Sequence, residues 1–314
     1  MPDHLQTANC FHRRFLIGMM GAAFLLAPMN AQATEPIKTV TPGFLTVAMS
    51  GEMPMAAVDN GKLVGVDGEM IALIAEKLGL KVKPAIMDFG SMVEAVRSGR
   101  ADVVLGDIAW SPLRAKALAL TDPIYFASAG IVVKKSKAPP KDAISIADLS
   151  GHNFGTLTGG ATVPELKKVP GMTELKLYDT SEAVLTDVVQ GRLDYASIDS
   201  LVADYQISRN NTWDIVQLKA EFDPRYPILT GSWEAVIGVN LNNPTLFDAV
   251  NQGVAWLWSS GKTAEILSRY GLVRKSYVTP PAMNGRIGAD RDKSGLPIGV
   301  GGHKPADFSS MFGK

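Results

Sequence analysis

Two stretches of the chain repeat one acidic pattern. Val96-Arg-Ser-Gly-Arg-Ala-Asp-Val-Val-Leu-Gly-Asp107 aligns without gaps on Val188-Val-Gln-Gly-Arg-Leu-Asp-Tyr-Ala-Ser-Ile-Asp199. Gly99, Arg100, Asp102 and Asp107 thus recur as Gly191, Arg192, Asp194 and Asp199. Each copy reads as a helix ending on a left-handed glycine, an Arg-x-Asp corner, and a short apolar strand carrying a carboxylate at its C-terminal end. In open α/β sheets, ligands bind beyond that end of the strands. Two such units turned toward each other would set both acidic ends on one cleft. The alternative is a chance match of a common helix-to-strand turn, against which the paired terminal aspartates weigh.

Other chemistries lack their residues. The histidines are His4, His12, His152 and His303, and the first two fall in a leader segment, which leaves no set for a zinc cluster or a histidine-based triad. Gly261-Lys262-Thr263 imitates the end of a phosphate loop, but Trp256 stands where the opening glycine belongs. No metal and no cofactor is expected. Basic and acidic residues balance at 31 each over 314 residues, so the charge favours neither nucleic acid nor an anionic membrane. A hydrophobic fraction of 46% supplies ample core, and the single cysteine, Cys10, excludes an intramolecular disulfide.

The elements that must position the aspartates follow a strand–helix–strand rhythm. Strands are predicted over residues 45–49, 80–87 and 102–108, with helices over 67–78, capped by Asp67 and closed by Gly79, and over 91–98. A second cycle has strands at 130–135, 154–157, 175–178, 195–198 and 215–218, a helical turn at 146–149, and helices at 162–169, 181–190 and 201–209. A strand at 235–240 and helices at 244–260 and 263–270 complete it, with Trp256 and Trp258 as core aromatics. Such alternation predicts an α/β fold with largely parallel sheets.

The ends of the chain read differently. Arg13 and Arg14 precede an apolar run from Phe15 to Ala27 and small residues at Ala31 and Ala33, the pattern of a secretory signal peptide cleaved after Ala33. Its apolar run would reach only about 20 Å, too short to span a bilayer. Residues 12–17 faintly resemble a twin-arginine signal, with the general secretory route preferred; either route leads to the periplasm. Residues 275–314 carry scattered Gly and Pro without periodicity and are expected to form a flexible, solvated tail.

Several segments, in order, carry a family resemblance. They are Gly61-Lys-Leu-Val-Gly-Val-Asp67, Ala95-Val-Arg-Ser-Gly-Arg-Ala-Asp102, Ser111-Pro-Leu-Arg114, Leu120-Thr-Asp-Pro-Ile-Tyr125, Ile146-Ala-Asp-Leu-Ser-Gly151, Gly159-Gly-Ala-Thr162 and Gly261-Lys-Thr-Ala-Glu-Ile-Leu-Ser-Arg-Tyr-Gly271. Over about residues 43 to 273 the chain resembles the periplasmic solute-binding proteins, family 3, of polar amino-acid ABC transporters. The resemblance implies a two-lobed, type II periplasmic-binding fold, each lobe a mostly parallel sheet flanked by helices, joined by two crossing strands near 130–134 and 234–239. Lobe 1 would comprise residues 38–131 plus 236–274, and lobe 2 residues 132–235. It also implies a monomer that hinges shut on a small solute and is recognised by a membrane permease, with no nucleic-acid partner and no catalytic residues.

The same resemblance assigns the site. Arg114 falls where the family grips a ligand carboxylate, although a surface ion pair at a helix start would look alike. Ala161 and Thr162 match a stretch whose backbone N–H groups open a helix and seat an anion, with Thr162 as a plain cap the alternative. Asp199 matches the carboxylate that takes the ligand's ammonium group, and can also cap the helix starting at Ser200. Phe89 sits where an aromatic wall or a core phenylalanine belongs. Asp107 and Ala109 depart from the family's small residue and hydroxyl residue, and Met53-Pro54-Met55, with Ser50 and Glu52 nearby, replaces its usual first loop. Glu52, Asp107 and Asp199 against Arg114 point to an amine-bearing solute such as a basic amino acid. The rival functions are a periplasmic enzyme of the cyclohexadienyl dehydratase type, with Glu52 or Asp107 as general acid, and a non-transport accessory or sensing protein on the same shell.

Overall fold

The structure, a computed structural model, describes residues 36–141, 143–280, 285–295, 297–298 and 303–313. The expected leader and its cleavage point lie outside these residues. In chain order, β1 (Phe44–Met49) leads to a hairpin, β2 (Ala57–Asp59) and β3 (Lys62–Val64), then α1 (Val66–Lys77), β4 (Lys81–Ile86), α2 (Phe89–Arg97), β5 (Val103–Val104), α3 (Pro112–Ala115), β6 (Leu118–Leu120) and the long β7 (Tyr125–Lys134). The second cycle holds β8 (Ala143–Ile144), β9 (Asn153–Leu157), α4 (Val163–Leu166), β10 (Glu174–Tyr178), α5 (Ser181–Gln190), β11 (Tyr195–Asp199), α6 (Ser200–Arg209) and β12 (Ile215–Ala220). The chain then runs through α7 (Pro227–Thr230), β13 (Ser232–Ala235), β14 (Gly238–Asn240), α8 (Pro244–Ser259) and α9 (Lys262–Arg269).

Two sheets result, ordered β4-β1-β5-β14-β6 and β10-β9-β11-β7-β12-β8. Pairing is parallel within each cycle, and antiparallel around the one strand in each sheet, β14 or β7, that reverses direction. Apolar residues on both faces explain why each sheet is covered on both sides. Leu45, Val47 and Met49 of β1 enter one core and Ala48 another, as the two-residue period of a strand requires. β7 joins the lobes: Tyr125 and Ala127 belong to the first core, while Ala129, Ile131 and Val133 belong to the second. β13 runs antiparallel to it, with Ser232 opposite Ser128. The architecture is therefore the α/β, two-lobed one with two crossing strands.

The internal repeat is structural. Asp102 of the first copy, 3% exposed, accepts from the N–H of Val40 at 2.7 Å and of Thr46, in β1, at 2.6 Å. Asp194 of the second accepts from the N–H of Asn153, the first residue of β9, at 3.3 Å. Each Arg-x-Asp corner thus pins the neighbouring strand of its own sheet. Gly99 and Gly191 both take the left-handed conformation, at φ 75° and 76°, where a Cβ would be strained.

Several expectations need correction. The strand over 102–108 shortens to β5 because Gly106 and Asp107 turn out of the ladder at φ 116° and 50°. The strand over 235–240 breaks into β13 and β14, which pair with different sheets. The helix over 162–169 is a single turn, α4. Asp67 is not the cap of α1; Gly65 holds that place at φ 93°, where a Cβ would lie 2.4 Å from the Met55 carbonyl. Trp256 and Trp258 are only partly buried against the first core. The tail is anchored rather than wholly solvated where it is described: Tyr277, Phe308 and Phe312 are at most 5% exposed and join that core, while residues such as Lys293 and Lys304 stay exposed.

Because Asp102 alone satisfies two backbone donors in a buried place, Asp102→Ala is expected to cost about 2–3 kcal/mol in chemical denaturation. Asp194→Ala, at a more exposed corner, should cost clearly less.

Candidate functional site

The site begins with Asp67. α1 starts where the N–H groups of Val66 and Asp67 donate to the carbonyls of Pro54 and Met55 at 2.8 and 2.9 Å, which satisfies helix-end donors and frees the Asp67 side chain. Its carboxylate, 1% exposed, accepts from the N–H of Gly106 at 2.8 Å, from the N–H of Asp107 at 2.9 Å, and from the Tyr125 hydroxyl at 2.7 Å. These bonds hold the turn after β5 in its left-handed form and so aim Asp107.

Asp107 meets two other elements. The Trp233 indole N–H, from β13, donates to both its oxygens at 3.1 and 3.2 Å. Asp199, at the end of β11, lies close enough that its charge raises the Asp107 carboxyl, as two like charges crowded away from water must. Asp199 also caps α6, its Oδ1 accepting from the N–H of Leu201 at 2.8 Å and of Val202 at 3.1 Å. Its Oδ2 is buried without a hydrogen-bond partner among the described residues. Both roles read for Asp199 thus coexist in one side chain.

The electrostatics follow from crowding acids away from water. Burial, then the Asp199 charge, then Asp67 push the Asp107 carboxyl well above the usual aspartate range, against the Trp233 bond that lowers it. Burial also raises Asp199, offset by bonds from the α6 N–H groups. Burial raises Asp67 despite its three donors. Tyr125 is pushed well up, by burial first and by Asp67 next. Arg114, on α3 behind a Ser111 cap, is lowered by burial while Asp107 draws it back up. Its Nη1 donates to the Ala109 carbonyl at 2.5 Å.

Of the residues picked from sequence, Asp107, Asp199, Arg114 and Ala109 therefore come together. Ser50 follows β1, Glu52 is exposed on the next loop, Ala161 is exposed, and Thr162 precedes α4 without capping it. None of the described hydrogen bonds joins these four to the acid pair. Phe89 opens α2, and its side chain lies outside the described residues. Sequence reasoning missed Asp67, Tyr125 and Trp233 as site residues. The first two end segments already singled out for the family resemblance, so their signal was present; Trp233 had none.

With this geometry in view, comparison with known proteins places the chain. A family model for the bacterial extracellular solute-binding proteins, family 3, matches residues 45–273; the chain belongs to that family. It is 27% identical to the L-cystine-binding protein TcyJ of Escherichia coli K12, over 82% of this chain and 94% of that one. The probable amino-acid-binding protein YxeM of Bacillus subtilis is 31% identical over 48% of this chain. The alignments span 57% of the length of YxeM and 61% of that of ArtP, an arginine-binding extracellular protein of Bacillus subtilis. Among solved structures, an ancestral arginine-binding protein bound to arginine aligns with a TM-score of 0.56 at 28% identity, covering 73% of this chain and 98% of its own. No helix among the described residues is long and apolar enough to cross a membrane.

The raised pKa of Asp107 has a definite sign. The folded chain keeps this proton above the ordinary 3.8, so its stabilising contribution is complete below that value and is lost as pH rises through the folded one. Asp107→Asn keeps a donor and cannot ionise. It should therefore melt higher than the parent at pH 7, with the gap closing toward pH 3, by about 1.4 kcal/mol for each unit separating the folded and unfolded values. Thermal melts across pH 3–8 measure this; equal slopes for both proteins would contradict it.

Proposed function

We propose that this protein is the extracytoplasmic binding component of an ABC importer, closing on a small solute with more positive than negative charge, such as a basic amino acid. The observation that carries the reading is the meeting of Asp107 and Asp199, one from each sheet, with Arg114 beside Asp107. Two desolvated carboxyls repel each other, and an ammonium group between them would compensate both charges. Arg114 then suits the solute carboxylate, since a guanidinium fork pairs both oxygens. Closure would bend β7 and β13 near Ser128 and Ser232. The names of the relatives, binders of arginine and cystine, support an amino-acid solute, and the arginine binders a basic one. On this reading the mature chain is a periplasmic monomer recognised by a membrane permease.

One observation also favours an enzyme. Burial and the neighbouring acids raise the Asp107 carboxyl, the direction a general acid needs, and an ancestral amino-acid-binding protein described as a precursor of cyclohexadienyl dehydratase shares the fold at 22% identity. Aromatic product on incubation with prephenate or arogenate would place the protein in that class.

A thermal-shift panel tests the binding reading. L-Arginine, L-lysine or L-ornithine at a hundredfold excess over Kd is expected to stabilise the fold by about 2.7 kcal/mol, and glutamate and aspartate are not. Asp199→Asn retains a capping side chain but should lose most of the shift. Stabilisation by acidic amino acids alone would sink the proposal.

A further inference from the structure

The family match stops at residue 273, yet beyond it lie some of the most deeply buried polar groups of the chain. Tyr277 is 1% exposed, Arg286 2% and Arg291 4%. Buried cations and hydroxyls persist only where partners are built for them, so these residues do work the shorter family pattern does without.

Their partners fall on both lobes. Just past α9, Arg274 forks onto Asp204 of α6, with Nε 2.5 Å from Oδ2 and Nη2 3.0 Å from Oδ1, and Nη2 also donates to the Gln217 carbonyl of β12 at 3.0 Å. The Tyr277 hydroxyl stands 2.7 Å from Asp204 Oδ2 and 2.9 Å from the Ser200 carbonyl oxygen. Ser200 opens the helix that Asp199 caps, and its hydroxyl accepts from the N–H of Ser128, where β7 changes lobe, at 3.2 Å. The second lobe is thus held by the helix that carries a site residue.

The other grip lies at the roots of the crossing strands in the first lobe. Arg286 donates to the carbonyls of Thr121 at 2.7 Å and Leu120 at 2.9 Å, just before β7, and its Nη1 is 3.3 Å from Glu234 of β13. Arg291 donates to the same Leu120 carbonyl at 2.7 Å. Asp290 binds both guanidinium groups, at 2.8 and 3.1 Å. Glu234 is next in sequence to Trp233, whose indole holds Asp107. Further on, the N–H of Ala306 donates to Asp248 of α8 at 2.8 Å, and Phe308 and Phe312 sit in the first core.

We propose that Arg274 and Tyr277, just past α9 of the first lobe, form a strap onto α6 and β12 that holds the two lobes in the closed arrangement before any solute enters. Bending at β7 and β13 moves α6 relative to α9 and breaks the Arg274–Asp204 fork and the Tyr277 bonds, exposing a charged pair built for each other. Closure is therefore favoured by the chain itself, and a solute must compete with the strap to enter. The inference rests on the hinge motion of the function proposed above and is independent of which solute is bound.

The test uses the full chain in a Cys10→Ser background, with spin labels at Ile86→Cys and Leu177→Cys, exposed positions on the two sheets. Pulsed electron–electron resonance without solute should give one short separation for the parent. Tyr277→Phe combined with Arg274→Met should populate a longer one, the closed-to-open ratio falling about fivefold for each hydrogen bond lost. Phe312→Ala, which weakens core packing away from the strap, should lower the melting temperature without lengthening the separation. A strap variant that melts lower but keeps the parent's distance distribution would overturn the strap, because the contacts would then be only stabilising. Adding L-arginine separates the two readings: opening that L-arginine reverses supports both, whereas opening that it leaves unchanged counts against a basic amino-acid solute and leaves the strap standing.

Discussion

Two carboxyl groups drawn out of water and close together must take up a proton or a cation. Asp107 and Asp199 are placed in that position by the backbone itself, since Asp107 stands on a left-handed turn locked by Asp67 and Asp199 is committed to the first turn of α6. Neither can turn away without releasing buried donors. The surrounding groups answer this constraint: Trp233 donates to Asp107, Tyr125 to Asp67, and the Arg114 guanidinium lies near enough to feel the Asp107 charge. An acid pair of this kind is poor as a stabilising device, which is the physical reason for reading it as a place where something positive arrives.

The two acids meet because the fold is built twice. In each half a glycine ends a helix, an aspartate at the corner ties the adjacent strand, and a further aspartate comes at or just beyond the end of the next strand. The corner aspartates tie strands of their own sheet and the terminal ones do not, although all four look alike in the sequence. The difference lies in what each meets: Asp102 and Asp194 find backbone donors of their own sheet, whereas Asp107 and Asp199 find each other across the lobes. β7 makes that encounter possible, since one continuous strand contributes to both cores and fixes their spacing.

The residues after α9 show how far a polar segment can be misjudged. Their scattered Gly and Pro carry no apolar period, and periodicity is the signal by which packed elements are recognised. What buries them is a set of guanidinium groups aimed at backbone carbonyls and carboxylates, with isolated aromatics filling core sites. Such contacts have no spacing rule along the chain, because each partner comes from a distant segment. The same reason hid Trp233, whose importance depends wholly on its reach to Asp107.

The order of strands and helices, the duplicated corner, the acidic strand ends and the family were legible in the amino-acid sequence, because hydrophobic period, glycine caps and short motifs are local and act over a few residues. Segment lengths where a turn intervenes, as at Gly106 and between β13 and β14, were not, since only pairing with another strand decides where a ladder stops. That Asp67 orients Asp107 rather than capping α1, and that Ser50, Glu52, Ala161 and Thr162 have no described hydrogen bond to the acid pair, were settled by the tertiary structure. A side chain's partner is whatever the packed chain brings within 3 Å of it, and no local rule fixes that.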